Sequence, residues 1–199
     1  IQHDRGGKTV NKIRVGFAMC GSFCTFRKAI EQMKKLIEAK YKVFPIMSFN
    51  ASQINTRFGK AKDFISEIED ICDSKIINTI EGAEPIGPKN MADIILIAPC
   101  TGNTLGKLCG AITDTPVTMA AKSQLRVHKP VLISLATNDA LGASAQNIGK
   151  MLNNKNIYFV PMSQDDPVKK PNSLVANFDL ILSSVELALT GKQKQPIFI

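Results

Sequence analysis

The sequence predicts a three-layer α/β/α domain built on a parallel sheet, on three observations. Strand-like and helix-like segments alternate along the chain. The strand-like segments are continuous apolar runs rather than alternating ones, as in Ile94, Ile95, Leu96 and Ile97, which marks strands buried on both faces. The 199 residues, 44% of them hydrophobic, suit one compact domain with a sizeable core, and no internal repeat, long linker or low-complexity tract divides it.

In chain order, residues 1–11 are polar and glycine-containing and are expected to be frayed. The domain proper runs over 12–190, with a tail at 191–199. Residues 13–19 form a buried strand. Over 25–39 the apolar positions Phe26, Ile30, Met33, Leu36 and Ile37 fall at helical spacing, with charges opposite. A second strand spans 42–47; Pro45 inside it cannot donate a ladder hydrogen bond, so an edge or a bulge is implied. Residues 60–72 are a helix and 93–99 the central strand. A helix then ends near Gly110, and another covers 116–127. A strand spans 130–136, a helix 144–153, and a last strand 156–161. A final helix occupies 172–189, with Asn172 or Ser173 as its N-cap.

Composition excludes several functions. No apolar stretch approaches the roughly 20 residues of a membrane helix, and nothing has the build of a signal peptide, so a cytoplasmic protein without membrane contact is expected. The net charge of +8 is spread along the chain, with no nucleic-acid motif, two Tyr and no Trp, so no nucleic-acid partner is implied. Five cysteines, an odd number without a C-x-x-C pair, are expected to be reduced. The two histidines lie far apart, and no metal site is expected.

In open parallel sheets, ligands bind outside the carboxyl ends of the strands. The first strand is followed by Cys20, Gly21, Ser22, Phe23 and Cys24, where exposed N–H groups at a helix start favour a phosphate. This is neither G-x-G-x-x-G nor a P-loop. After the second strand comes SFNASQINTRFG, after the central strand PCTGNT, and after the next strand TNDALGAS. Helix capping accounts for one or two residues in each loop, but not readily for four polar loops on one rim. Convergent polar groups on apolar walls suit a ligand with a phosphate, a polyol and a flat heterocycle, and FMN fits that description.

The segments GFAMCGSFCTF, APCTGNTLGKL with AITDTP, and ATNDALG resemble the flavin-site segments of the homo-oligomeric flavin-containing cysteine decarboxylase family over roughly residues 12–190. The resemblance implies a Rossmann-like, flavodoxin-type fold that binds FMN at the interfaces of a trimer or a multiple of trimers. It implies that Gly21 and Ser22 hold the phosphate, and that Ser48 and Asn50 meet the flavin. Pro99, Thr101, Asn103 and Thr104 would contact the ribityl chain and ring edge, and Asp114 and Thr115 would lie near the site. Ala136, Thr137 and Asn138 would close the phosphate end.

A closer resemblance, carried by SFNASQINTRFG and QDDPVKKPNSLVA, is to one branch of that family. In that branch the flavoprotein works in sporulation beside a second polypeptide, itself similar to nicotinamide-binding dehydrogenases, on a dicarboxylate. Such a substrate needs cations, and Arg57, Lys169 and Lys170 are the candidates. The family's active-site histidine after the second strand is absent, since that segment reads Ser48, Phe49, Asn50. The Pro-x-Met-Asn segment is absent too, and both departures argue against cysteine decarboxylation. His128, before Lys129 and Pro130, is expected at the surface. The rival functions are an FMN-dependent decarboxylase, a flavin prenyltransferase of the same fold, and a non-catalytic FMN-binding scaffold.

Overall fold

The computed structural model describes residues 12–199, so the frayed segment expected at 1–11 lies outside the described residues. Strands β1 (Arg14–Met19), β2 (Lys42–Met47), β3 (Ile94–Cys100) and β4 (Val131–Thr137) form the centre of the sheet. Their order is β2-β1-β3-β4, all parallel. Every residue of β3 is buried, as a strand covered on both faces requires. Helices cover the sheet in two layers: α1 (Phe26–Glu38), α2 (Phe49–Gln53), α3 (Ala61–Cys72), α4 (Ile80–Ala83), α5 (Gly102–Cys109), α6 (Pro116–Leu125) and α7 (Ala145–Leu152). Along α1 the buried positions include Phe26, Ile30, Met33 and Leu36, the stripe that the spacing predicts.

Pro45 lies on β2, which is the edge of the main sheet. Its carbonyl accepts the Ile77 N–H at 2.9 Å, on the side away from β1. The missing N–H therefore falls on the outer side of the strand and leaves the β1 ladder intact.

The sheet departs from the all-parallel expectation beyond β4. Strand β5 (Ile157–Phe159) pairs in parallel with Val131, Leu132 and Ile133. Strand β7 (Leu174–Ala176) pairs antiparallel with Ala136 and Thr137, and β6 (Met162–Ser163) pairs antiparallel with β7. One edge of β4 is thus shared between two short strands, giving a mixed, mostly parallel sheet. The expected last strand at 156–161 is correspondingly not the last.

The helix expected at 172–189 is also corrected. Residues 174–176 are extended, and Asn177, not Asn172 or Ser173, caps a 3-10 turn by accepting the Asp179 N–H at 3.1 Å. Helix α8 begins only at Ile181 and ends at Leu189. Leu174 and Ala176 are buried on one side, and tertiary pairing with the end of β4 overrides their helical context. The expected tail at 191–199 packs on the sheet edge: the Gln193 side chain bonds both Phe159 N and O, at 2.8 and 2.7 Å, and Ile199 N donates to Met162 O at 3.1 Å.

At the opposite end of the sheet from the rim loops, Asp93 accepts from Arg14 N at 2.8 Å, Nε at 3.1 Å and Nη2 at 2.8 Å, with Lys129 Nζ 3.4 Å away. Burial pushes the Asp93 carboxyl up, but the Arg14 bonds and the charges of Arg14 and Lys129 outweigh it and hold the pKa at about 2. A carboxylate whose pKa is lower folded than unfolded stabilises the fold above its unfolded value and loses that contribution as pH falls. Wild-type stability is therefore expected to decline between about pH 4 and pH 2 more steeply than that of Asp93→Asn. Urea midpoints across that window check it, and parallel curves for the two proteins would contradict it.

Candidate functional site

The carboxyl ends of β1, β3 and β4 open onto two adjoining hollows. One, of about 330 Å³, is lined by Cys20, Gly21, Ser48, Phe49, Asn50, Thr101, Asn103, Thr104, Lys107, Asp114 and Thr115. The other, of about 360 Å³, includes Gly21, Ser22, Cys24, Thr25, Thr101, Gly102, Asn103, Ala136, Thr137, Asn138, Asp139, Asp165 and Lys170. Ser22, Ala136, Thr137 and Asn138, expected at the phosphate end, line one hollow, and Ser48 and Asn50, expected at the ring end, line the other, with Gly21, Thr101 and Asn103 bordering both. Pro99 lies beneath them, buried, its carbonyl accepting the Cys20 N–H at 3.1 Å.

The hydroxyls and the amides of this rim have different duties. Ser48 caps α2 by accepting Ala51 N at 3.2 Å, and Thr101 caps α5 by accepting Thr104 N at 3.2 Å. Thr115 caps α6 in a reciprocal capping box with Thr118. Thr137 donates its hydroxyl proton to Asp139 Oδ1 at 2.5 Å, and Ser144 donates to the same oxygen at 3.0 Å. These hydroxyls position the loops. Asn50, Asn103 and Asn138 are exposed, their side-chain amides without a protein partner among the described residues, and Ser22 does not cap the turn that follows it. Of the N–H groups at the start of α5, Thr104 and Leu105 donate to Thr101, and among the described residues those of Gly102 and Asn103 make no hydrogen bond. A Cβ on Gly21 would sit in ordinary contact with the Phe23 ring and Asn50 Cβ, at 3.5–3.7 Å, so Gly21 packs against the α2 side of the site. A Cβ at Gly102 would overlap Thr137, Asp139 and Ser144, so only glycine fits at that helix start. Three amides and a hydroxyl outside any cap, beside helix N–H groups, form a donor set suited to a phosphorylated polyol and a heterocycle edge, with the Asp139 and Asp165 carboxylates engaged by Thr137, Ser144 and Lys170.

Two lysines line the hollows. Lys170 pairs with Asp165 at 2.9 Å in one, and Lys107 pairs with Asp114 at 2.8 Å in the other. Arg57 is not brought to either hollow within one chain: it is exposed, with its guanidinium 4.9 Å from the Phe58 ring centroid. Glu67 on α3, the helix that follows Arg57, pairs with Arg27 at 2.6 Å. Lys169 is exposed, and its backbone N–H donates to Asp166 at 2.9 Å. His128 is exposed at the turn after α6. Sequence reasoning missed Lys107; the available signal was its place one helical turn after Asn103, on the same face.

All five cysteines are free, with Cys20 and Cys100 buried and Cys24 exposed. Burial pushes the Cys20 thiol up to about 11, against the pull of the Thr104 hydroxyl, which donates to its sulfur at 3.2 Å. Cys20 is therefore a neutral wall of the hollow at neutral pH rather than a thiolate nucleophile.

A mostly parallel sheet covered by helices on both faces, with two hollows at its carboxyl ends, is a Rossmann-like, flavodoxin-like fold. The family model described as Flavoprotein matches residues 4–180, and the chain belongs to that family. It is similar to the B subunit of dipicolinate synthase from Bacillus subtilis (strain 168), with 44% identity over 94% of this chain and 93% of the relative. The crystal structure of the dipicolinate synthase B subunit from Bacillus halodurans C superposes with a TM-score of 0.86 at 43% identity, covering 94% of this chain and 96% of that one. DmrB from Burkholderia xenovorans, solved in complex with FMN, shares the fold at a TM-score of 0.68 and 14% identity, over 91% of this chain and 97% of that one. No helix among the described residues is long and apolar enough to cross a membrane.

Proposed function

We propose that the chain binds FMN noncovalently across the two hollows and acts as the flavoprotein component of a dipicolinate synthase during sporulation. Its partner in this reading is the nicotinamide-binding A subunit of that enzyme, and the substrate is dihydrodipicolinate or its hydroxylated tetrahydro precursor. The observation that carries the reading is the similarity to the Bacillus subtilis B subunit along nearly the whole length of both chains. The unpartnered donors at Asn50, Asn103 and Asn138 support it from the site's own chemistry.

The residues divide the work by position. Gly21, Ser22 and Asn138, with Lys170 as the nearby cation, would hold the phosphate end. The N–H groups of Gly102 and Asn103 and the Asn103 amide would meet the ribityl chain where the hollows join. Asn50, set beside Gly21 by the cap of α2, would orient the ring edge. FMN supplies an acceptor for a hydride from carbon. The buried side chains of β1 and β3 beneath the hollows keep water from that side of the site.

Steady-state assay of this chain alone, the dehydrogenase-like partner alone and the mixture, each with FMN, tests the reading. Dipicolinate formation by the mixture above that of the partner alone is expected. A mixture no faster than the partner alone would count against a catalytic contribution. Decarboxylation or prenyl transfer by this chain alone would point to the other activities of the fold. A mixture that is faster even without FMN would make the chain a scaffold.

A further inference from the structure

In the ring-side hollow, Lys107 is the one lining cation and Asp114 the one lining carboxylate among the described residues. Lys107 Nζ reaches both Asp114 oxygens, at 2.8 and 2.9 Å. The partners are unequally held. The Lys107 side chain is 24% exposed and rises from α5, whereas Asp114 is 57% exposed and hangs from the connection between α5 and α6. That connection folds back on α5, with the Ile112 N–H donating to the Lys107 carbonyl at 2.8 Å, which places Asp114 over the ammonium. An ion pair so open to solvent adds little to folding stability. Its geometry instead sets a cation at the wall of a ligand cavity under a carboxylate that solvent can receive.

We infer that Lys107 is the carboxylate anchor of this hollow and that Asp114 is its resident competitor. An incoming carboxylate replaces Asp114 on the ammonium, and Asp114 turns outward into water. One carboxylate leaves the cation as another arrives, so no unpaired charge is left against the wall. The exchange selects for anionic ligands, because a neutral ligand cannot compensate for loss of the Asp114 contact. The inference rests on the proposed dicarboxylate chemistry and assigns it a residue that sequence reasoning did not.

The test is calorimetric titration of pyridine-2,6-dicarboxylate into the flavin-loaded chain, for wild type and for Lys107→Gln, Lys107→Arg and Asp114→Asn. Flavin affinity and thermal midpoint are measured on each protein. Lys107→Gln is expected to bind the dicarboxylate about tenfold or more weakly through loss of a charge-assisted bond. Lys107→Arg is expected to retain binding. Asp114→Asn is expected to bind about threefold or more tightly, because the competitor is gone. A purely structural ion pair predicts the opposite for Asp114→Asn: unchanged or weaker binding. Equal affinities for wild type and Lys107→Gln, or unchanged or weaker binding by Asp114→Asn with its fold intact, overturn the exchange and leave the flavin and synthase reading standing. Failure of wild type to bind the dicarboxylate while holding FMN overturns the exchange together with the substrate assignment. Failure to hold FMN at all is failure of the wider reading, and the same titration on the flavin-free chain then decides the exchange by the same order of affinities.

Discussion

Gly87→Ala is expected to lose about 3 kcal/mol or more of folding stability, although it adds a single methyl group. Gly87 follows the 3-10 turn Glu84–Ile86, which packs on α6. Its N–H donates to Ser123 Oγ at 2.8 Å, and that hydroxyl donates in turn to Glu84 O at 2.6 Å. A Cβ at Gly87 would overlap the Ser123 carbonyl oxygen, a backbone atom of α6 that cannot rotate away. Relief requires moving the turn off the helix, which breaks both hydrogen bonds. Because α6 begins at the Thr115 cap, the shift would be felt at the rim as well. Gly149→Ala is the control. A Cβ there meets nothing within 4 Å inside α7, so a gain of about 0.5–1 kcal/mol is expected from helix propensity and reduced unfolded-state entropy. Urea denaturation of both variants checks the pair, and a Gly87→Ala midpoint equal to wild type would refute the packing argument.

Asn103→Ala is expected to weaken FMN binding by about ten- to a hundredfold, as loss of one well-placed buried hydrogen bond costs about 1–3 kcal/mol. The Asn103 amide borders both hollows and has no partner among the described residues. Removing it breaks no internal bond, so the thermal midpoint of the flavin-free protein should stay near wild type. Thr101→Ala should behave differently. It removes the cap of α5 and is expected to cost about 1 kcal/mol of stability before any ligand is added. Cys109→Ser, outside the linings of both hollows, should leave affinity unchanged. Titrating FMN into the flavin-free variants separates these cases; equal dissociation constants for Asn103→Ala and Cys109→Ser would remove Asn103 from the site.

The central strands were legible in the sequence because burial on both faces writes them as unbroken apolar runs, as in β3 and β4. Strand β7 was not. At three residues it is too short to show a period, and it precedes a helix rich in Leu, Ile and Val. Only pairing with Ala136 and Thr137, distant in sequence, makes it extended.

The place of the candidate site was legible, because polar clusters at the ends of buried strands converge wherever parallel strands are neighbours. The duties within it were not. Ser48, Thr101 and Thr115 carry the composition of a ligand rim, yet their oxygens close helix caps, while the amides of Asn50, Asn103 and Asn138 have no partner among the described residues. The cations were harder still. Arg57, a candidate cation from the sequence, stacks on Phe58, whereas Lys107 is set in the wall by the return of the chain at 110–115.

The central claim is that this rim holds FMN. The most direct measurement is equilibrium titration of FMN into the purified, flavin-free chain under oxidised and reduced conditions, followed by heat release and a spectrum of the supernatant. Saturable binding near one FMN per chain is expected, with all of the flavin recovered free. A chain that takes up no FMN in either redox state would contradict it.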